Sequence, residues 1–252
     1  MKFSYSAVWA DLTALLRSHA SLIATVAGVF IFLPRLLVGY FLPQPDPSDP
    51  ARLLQLWGEY FIANWPWLIL NSLVGMVGSI AILLLIFARG ITVGGAIAAA
   101  LALLPVYFIA SVLGNLAMGI GFLLLIVPGL YLLGRLGPLN AVVAAETHRN
   151  PIAALRRCWA LTEGHGWALL GLILIVGIAA AIVVGIATTL LGIVFVLAAG
   201  QDVGQLLVLI FRTAGDSAMI TLMLVLAAAI YRQLSEGRSA AAASAADAPP
   251  AN

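Results

Sequence analysis

Three ionisable side chains sit where this chain can least accommodate them. Arg35, Arg212 and Asp216 all fall inside long hydrophobic runs. A charge held in a bilayer is costly unless it is paired or wetted. Arg212 and Asp216 are four residues apart, a spacing that puts both on one face of a helix. Two readings stay open. In one, Arg35, Arg212 and Asp216 line a polar pocket that holds an anionic headgroup or solute. In the other, Arg212 and Asp216 pair and lock helices together, while Arg35 snorkels to the headgroups.

Other reactive residue types carry weaker patterns. Glu146 and His148, then Glu163 and His165, flank a basic segment, but their spacing fits no zinc site. Solvated side chains are expected there, with no metal. Cys158 is the only cysteine, which excludes an internal disulfide and a Cys-based metal cluster. Arg157 beside it would lower its pKa, yet next to Trp159 it reads as a small packing residue. No nucleophile elbow, zinc-protease helix, phosphate loop or paired-carboxylate pattern occurs. The expectation is a non-enzymatic protein without a cofactor.

The elements that must position these residues follow from hydropathy. The chain is 63% hydrophobic and 9% charged, against roughly 25% charged in an ordinary soluble domain. Its net charge of +2 is too small to suggest nucleic acid. Gly90 to Gly134 is a 45-residue run without a charged side chain. As one helix it would be about 67 Å long, more than twice the roughly 30 Å hydrocarbon core of a bilayer. The fold class predicted is all-α: a polytopic integral membrane bundle of about six transmembrane helices with two interfacial amphipathic helices.

Residues 6–19 read as the first interfacial helix, with Val8, Trp9, Leu12, Leu15 and Leu16 on one face and Ser6 as N-cap. No short basic leader precedes it, so the N-terminus is expected to be retained. Spans are predicted at about 20–42, 67–88, 94–113, 116–134, 167–199 and 205–230. Residues 43–49 form a proline-rich acidic loop, and 51–65 a further short interfacial stretch. Trp57, Tyr60, Trp65 and Trp67 suit the headgroup level. Gly114-Asn115 is the expected turn between the third and fourth spans. Pro105 and Pro128 are each expected to bend their helix. The alternative is one long bent helix followed by an interfacial one. Asn150-Pro151 starts a second amphipathic helix, an elbow at 151–163. Gly200 to Gly204 is a short turn. Residues 235–252 are low in complexity and expected to be a disordered tail. Gly75, Gly78, Gly94, Gly95, Ala181, Gly185 and Gly192 suit close helix contact.

With this layout Lys2, Arg17, Arg89, Arg135, Arg149, Arg156, Arg157, Arg232 and Arg238 share one side. Asp46, Asp49, Glu59 and Asp202 occupy the other, with Arg52 alone. The positive-inside rule then places both termini in the cytoplasm.

Ile126 to Trp167 (IVPGLYLLGRLGPLNAVVAAETHRNPIAALRRCWALTEGHGW) resembles the membrane domain of some bacterial glycerophosphoryl diester phosphodiesterases and of related uncharacterised inner-membrane proteins. The matching residues are Pro128, Gly129, Tyr131, Arg135, Pro138, Glu146, Ala153, Ala154, Arg156, Arg157, Trp159, Leu161, Thr162 and Gly164. The chain departs at Cys158, where the family often has Ser. Ile230 to Leu234 also resembles the family's close. In those phosphodiesterases the chemistry belongs to a separate soluble barrel, and this chain lacks its residues. The resemblance implies a membrane module of the bacterial inner membrane, not an activity. The expected function is binding of membrane lipids, a protein partner or a second copy of the chain, in support of envelope or lipid homeostasis. The alternative is a transporter or flippase for an anionic amphiphile. A lipid-modifying enzyme would need a nucleophile or metal that the chain does not display.

Overall fold

The apolar runs close into helices, and no strand occurs among the described residues. The computed structural model describes residues 4–42, 44–45, 52–88, 90–147 and 149–246, with side chains up to residue 237. Helix α1 is Tyr5–Ala27, and a π-helical segment, Gly28–Phe32, leads into α2, Leu33–Phe41. Then follow α3 (Leu53–Phe87), α4 (Val93–Leu124), α5 (Ile126–Leu136), α6 (Leu139–Glu146), α7 (Pro151–Leu161) and α8 (Gly166–Ala246). Among the described residues, Tyr5–Phe41, Leu53–Phe87, Val93–Leu124, Ile126–Glu146 and Gly166–Gly237 are the five stretches long and apolar enough to cross a membrane. The architecture is an all-α membrane bundle.

The predicted boundaries shift in instructive ways. Residues 6–19 and 20–42 are one continuous rod, capped by Ser4 instead of Ser6. Part of its apolar stripe, Val8, Leu12 and Leu15, is buried in the protein core, while Trp9 stays exposed. The π-helical turn has a local cause. Pro34 has no N–H to give back along the helix and its ring crowds the preceding turn. The backbone widens just before it, and the Leu33 N–H donates to Gly28 O, five residues back. Residues 51–65 do not form a separate interfacial helix either, because α3 runs through Pro66 without a break.

The expected turn at Gly114-Asn115 is absent, and α4 is a single helix of 32 residues containing Pro105. This is the long-helix alternative. The reversal comes instead at Leu125, whose extended backbone (φ −163°, ψ 148°) separates α4 from α5. Two glycines permit it: a Cβ at Gly121 would stand 3.0 Å from Gly129 Cα. Asn150 caps α7 as expected, its Oδ1 accepting from the Ile152 N–H at 2.9 Å. Helix α8 is two helices joined at Gly200, the only non-helical residue inside it (φ 78°, ψ 178°). That left-handed geometry favours glycine. The turn expected over Gly200 to Gly204 is thus one residue long. Residues 235–246, expected to be disordered, continue the second arm as helix, and 247–252 lie outside the described residues.

The two arms of α8 run antiparallel. Gly177 faces Met223, Val184 faces Gly215, Gly192 faces Val208, and Gly204 lies against Val196. The start of α8 therefore sits at the same end as Tyr231. Several contacts gather at that end. Tyr231 stacks edge-on against Phe87 at 5.4 Å, and its hydroxyl donates to Glu146 at 3.1 Å. Gln233 Nε2 donates to Ser4 O at 3.1 Å, joining the second arm of α8 to the start of α1. The core lies there as well, with Leu12, Ile80, Ile82, Leu83, Val142, Leu226 and Ile230 almost wholly buried. The opposite half of α8 is open. Ile182, Val183, Ile186, Leu190 and Ile193 are all exposed, as lipid-facing residues are.

Candidate functional site

Two polar places stand out, one in the sparse half of α8 and one at the dense end. The first holds the residues predicted from charge. Between the arms of α8 lies a cavity of about 830 Å³ lined by Arg212 and Asp216 from one arm and by Thr188 and Thr189 from the other. Gln205 and Met219 complete its wall. The small residues Ala181, Gly185 and Gly192 also line it, which keeps the space between the arms open. A second cavity, about 450 Å³, is lined by Arg35, Ser79, Asn140 and Asp216. Asp216 and Met219 belong to both. A third, about 410 Å³, shares Gly137, Asn140, Met223 and Ala227 with the second. It reaches Tyr107, Asn115 and, at the dense end, Ile230.

The structure therefore brings Asp216 to both Arg212 and Arg35, but by way of two adjoining cavities rather than one. Among the described residues, none of the three makes a hydrogen bond or an ion pair. The pairing of Arg212 with Asp216, one of the two readings, is not what the geometry shows. Arg212 and Arg35 are exposed on the bundle surface and Asp216 is half-buried. Sequence reading did not single out Thr188, Thr189, Gln205, Ser79 or Asn140. Their one signal was polarity within apolar runs, which is faint because Ser and Thr can satisfy themselves on their own helix. Thr188 Oγ1 does so, donating to Val184 O at 2.7 Å.

The second place is built from the family-like motif. Arg135, counted in the sequence among the basic residues on one side, is 4% exposed. Its Nε donates to Thr162 Oγ1 at 3.0 Å, its Nη1 to the Tyr131 hydroxyl at 2.8 Å and its Nη2 to Trp159 O at 2.6 Å. The guanidinium carbon lies 3.9 Å from the centre of the Trp159 ring and 5.6 Å from that of Tyr131. A planar cation with forked donors suits this mixture of carbonyl, hydroxyl and ring better than a lysine would. Thr162 in turn donates to Cys158 O at 2.9 Å, and Cys158 Sγ donates to Arg135 O at 3.4 Å. Arg135 thus pins α5 to α7 and to the turn before α8. Burial pushes the Cys158 thiol up to about 12, against a smaller opposing pull from the Arg135 charge. The cysteine is a packing residue with a weak donor, and the neighbour that bears on its charge is Arg135, not Arg157.

Glu146 and Arg157 make an ion pair beside this knot. Arg157 Nε donates to both carboxylate oxygens, at 2.8 and 3.1 Å. Both are partly exposed, so the pair contributes little by itself. Arg156 takes no part in the knot, and Pro128 and Gly129 serve the turn from α4 into α5. Among the described residues no group of three or more His, Cys, Asp or Glu side chains converges. His148 and Arg89 lie outside the described residues, while His165 Nδ1 sits 3.0 Å from Glu163 O. No protein-family model matches the chain, and neither a curated protein nor a solved structure does.

Proposed function

We propose that this protein is a non-enzymatic integral membrane module of the bacterial inner membrane that binds an anionic lipid between the two arms of α8. The observation that carries the reading is the unpaired Arg212, which lines an open cavity of about 830 Å³ beside Asp216, Thr188 and Thr189. A guanidinium without a protein partner at membrane depth is costly. A phosphate-bearing headgroup would satisfy it through charge-assisted hydrogen bonds, and the apolar flank of the cavity suits acyl chains. The resemblance of Ile126 to Trp167 to a phosphodiesterase membrane domain supports a lipid-linked role without lending a reaction. Arg149, Arg156, Arg157 and Arg232 lie at or near the dense end, which supports a cytoplasmic placement of that end and both termini.

The test is native mass spectrometry of the detergent-purified protein titrated with phosphatidylglycerol or phosphatidylcholine. The expected result is retention of phosphatidylglycerol alone, weakened at least tenfold in Arg212→Ala. Equal retention of both lipids, or no change in the variant, rejects the reading.

One observation favours transport of such an amphiphile as a second reading. The three cavities adjoin in series, from Arg212 through Asp216 and Arg35 to Asn140 and Tyr107. Proteoliposomes with a fluorescent anionic lipid separate the two. Transport predicts movement between leaflets that falls in Asp216→Asn while binding persists. A static binding module predicts no movement above protein-free vesicles.

A further inference from the structure

Helix α4 gathers its polar side chains in one place. Of its 32 residues only Tyr107, Ser111 and Asn115 carry a hydroxyl or an amide. They are spaced four apart, which puts them on one face. All three line the cavity of about 410 Å³, and Asn140 of α6 joins them there. Among the described residues, none of these four side chains makes a hydrogen bond. Other small hydroxyls in the bundle behave differently. Ser79, Ser217 and Thr221 donate to Gly75 O, Thr213 O and Ser217 O, at 2.8, 2.7 and 2.8 Å. Tyr107 cannot satisfy itself in that way. It is 4% exposed, and its unpaired hydroxyl opens on the cavity. A buried donor left without a partner costs free energy.

A second part of the wall is a break between helices. Helix α5 runs beside the start of α8 in the same direction: Tyr131 lies by Trp167, Gly134 abuts Gly166 and Leu170, and Gly137 abuts Ile173. Helix α6 turns back, and Glu146 at its end accepts from Tyr231. The break at Gly137 and Pro138 therefore lies within the bundle, and Pro138 and Leu139 are buried. No side chain caps the start of α6, so its first N–H groups carry a partial positive charge. Irregular backbone at membrane depth is tolerated where it is buried in protein or lines a cavity. Gly137, Leu139 and Asn140 line this one.

The rest of the wall is apolar, with Met76, Met118 and Met223 able to adapt their shape. None of the lining residues is charged. An ionic group would meet no counter-charge there and would be costly to hold. Arg35 and Asp216 belong to the adjoining cavity. Apolar walls, a few convergent polar groups and a volume of about 300–1,000 Å³ are the usual form of a small-molecule site. Asn115 is exposed, so the polar row of α4 runs from the interior to the surface of the bundle.

We infer that this cavity binds an uncharged, hydroxyl-bearing amphiphile. Tyr107, Ser111, Asn140 and the first N–H groups of α6 hold its oxygen atoms, and the methionines pack on its apolar part. Arg212 does not line this cavity, so the inference stands whether or not Arg212 binds an anionic lipid.

The experiment is native mass spectrometry of the protein in lauryldimethylamine oxide, a detergent without a hydroxyl group. An Arg212→Ala background removes the anionic site proposed above. Three probes share one acyl chain: monooleoylglycerol, methyl oleate and oleate. The expected result is retention of monooleoylglycerol at least tenfold above the other two, falling at least tenfold when Tyr107→Phe is added. The unfolding midpoint of Tyr107→Phe should match or exceed that of its parent, because the hydroxyl it removes has no protein partner. Equal retention of methyl oleate, preference for oleate, no retention of monooleoylglycerol, or no loss with Tyr107→Phe overturns the inference. A lower midpoint in Tyr107→Phe also overturns it, since the hydroxyl would then serve the fold.

Discussion

Arg135 and Arg212 are the same residue in opposite circumstances. Arg135 is buried, holds three hydrogen-bond acceptors and lies on an indole ring. Arg212 is exposed, lines a cavity and makes no hydrogen bond or ion pair among the described residues. The surroundings differ in the same way. Around Arg135 the helices pack so closely that Gly134 and Gly166 have no room for a Cβ. Around Arg212 the arms of α8 stand apart over about 830 Å³. The contrast shows that charge in an apolar chain has two uses. One arginine is consumed by the fold, and the other has no hydrogen-bond or ion-pair partner among the described residues.

The largest effect expected from breaking this contrast is at Arg135. Arg135→Ala would strand Thr162 Oγ1, Trp159 O and the Tyr131 hydroxyl and open a cavity, for a loss of about 3–5 kcal/mol. Denaturant titration in detergent micelles reads it. Arg135→Lys should recover only part, because an ammonium cannot serve three separated acceptors and the ring together. A loss below about 1 kcal/mol in the alanine variant would mean that the knot is decorative.

Gly134→Ala comes next. Its Cβ would run into Gly166 O and lie 2.9 Å from Leu170 Cβ, an overpacking worth about 1–3 kcal/mol. The same substitution at Gly185, which has nothing within 4 Å of a built Cβ, should leave the midpoint of unfolding unchanged. Equal effects at the two positions would erase the distinction between dense and sparse halves.

Cys158 offers a finer gauge. With the thiol at about 12 in the fold and near 9 when unperturbed, alkylation at pH 8 should be negligible until the protein opens. Raising the pH from about 9 towards 12 lowers stability, because the unfolded chain sheds a proton that the folded one keeps. Rapid labelling of the native protein at pH 8 would contradict the burial. The smallest stability effect belongs to Arg212→Ala, expected within about 0.5 kcal/mol of the parent. A large loss there would make Arg212 a structural residue like Arg135.

Much of the architecture was legible because hydrophobic length is a strong signal. The start of the elbow could be read to the residue, since Asn150 and Pro151 carry their own local chemistry, whereas its end comes at Leu161, two residues before the expected 163. The reversal between α4 and α5 could not. Gly114 and Asn115 look like a turn but lie within a helix, where Gly114 packs on Leu139. The true reversal at Leu125 has no turn residue at all. It depends on Gly121 meeting Gly129, a contact that only tertiary packing reveals. The burial of Arg135 escaped the sequence for the same reason. It was counted only among the basic residues of one side, whereas two of its partners come from 24 and 27 residues further on. For Arg35, Arg212 and Asp216 the sequence located the charges but left open whether they pair, and cavity shape is a matter of side chains from four helices, α2, α3, α6 and α8.

The hydrogen bond from Gln233 to Ser4 O spans 229 residues, and that distance has a meaning in time. As the chain leaves the ribosome, α1 is made well before the second arm of α8, which reaches it at Ser4. Until that arm arrives, the side of α1 it will meet is held by the translocon or lies against lipid. Contacts that close so late are slow to form and leave the unfinished chain open to misassembly. The contact of Gln233 with Ser4 thus closes late, which makes the second arm of α8 a clasp on α1.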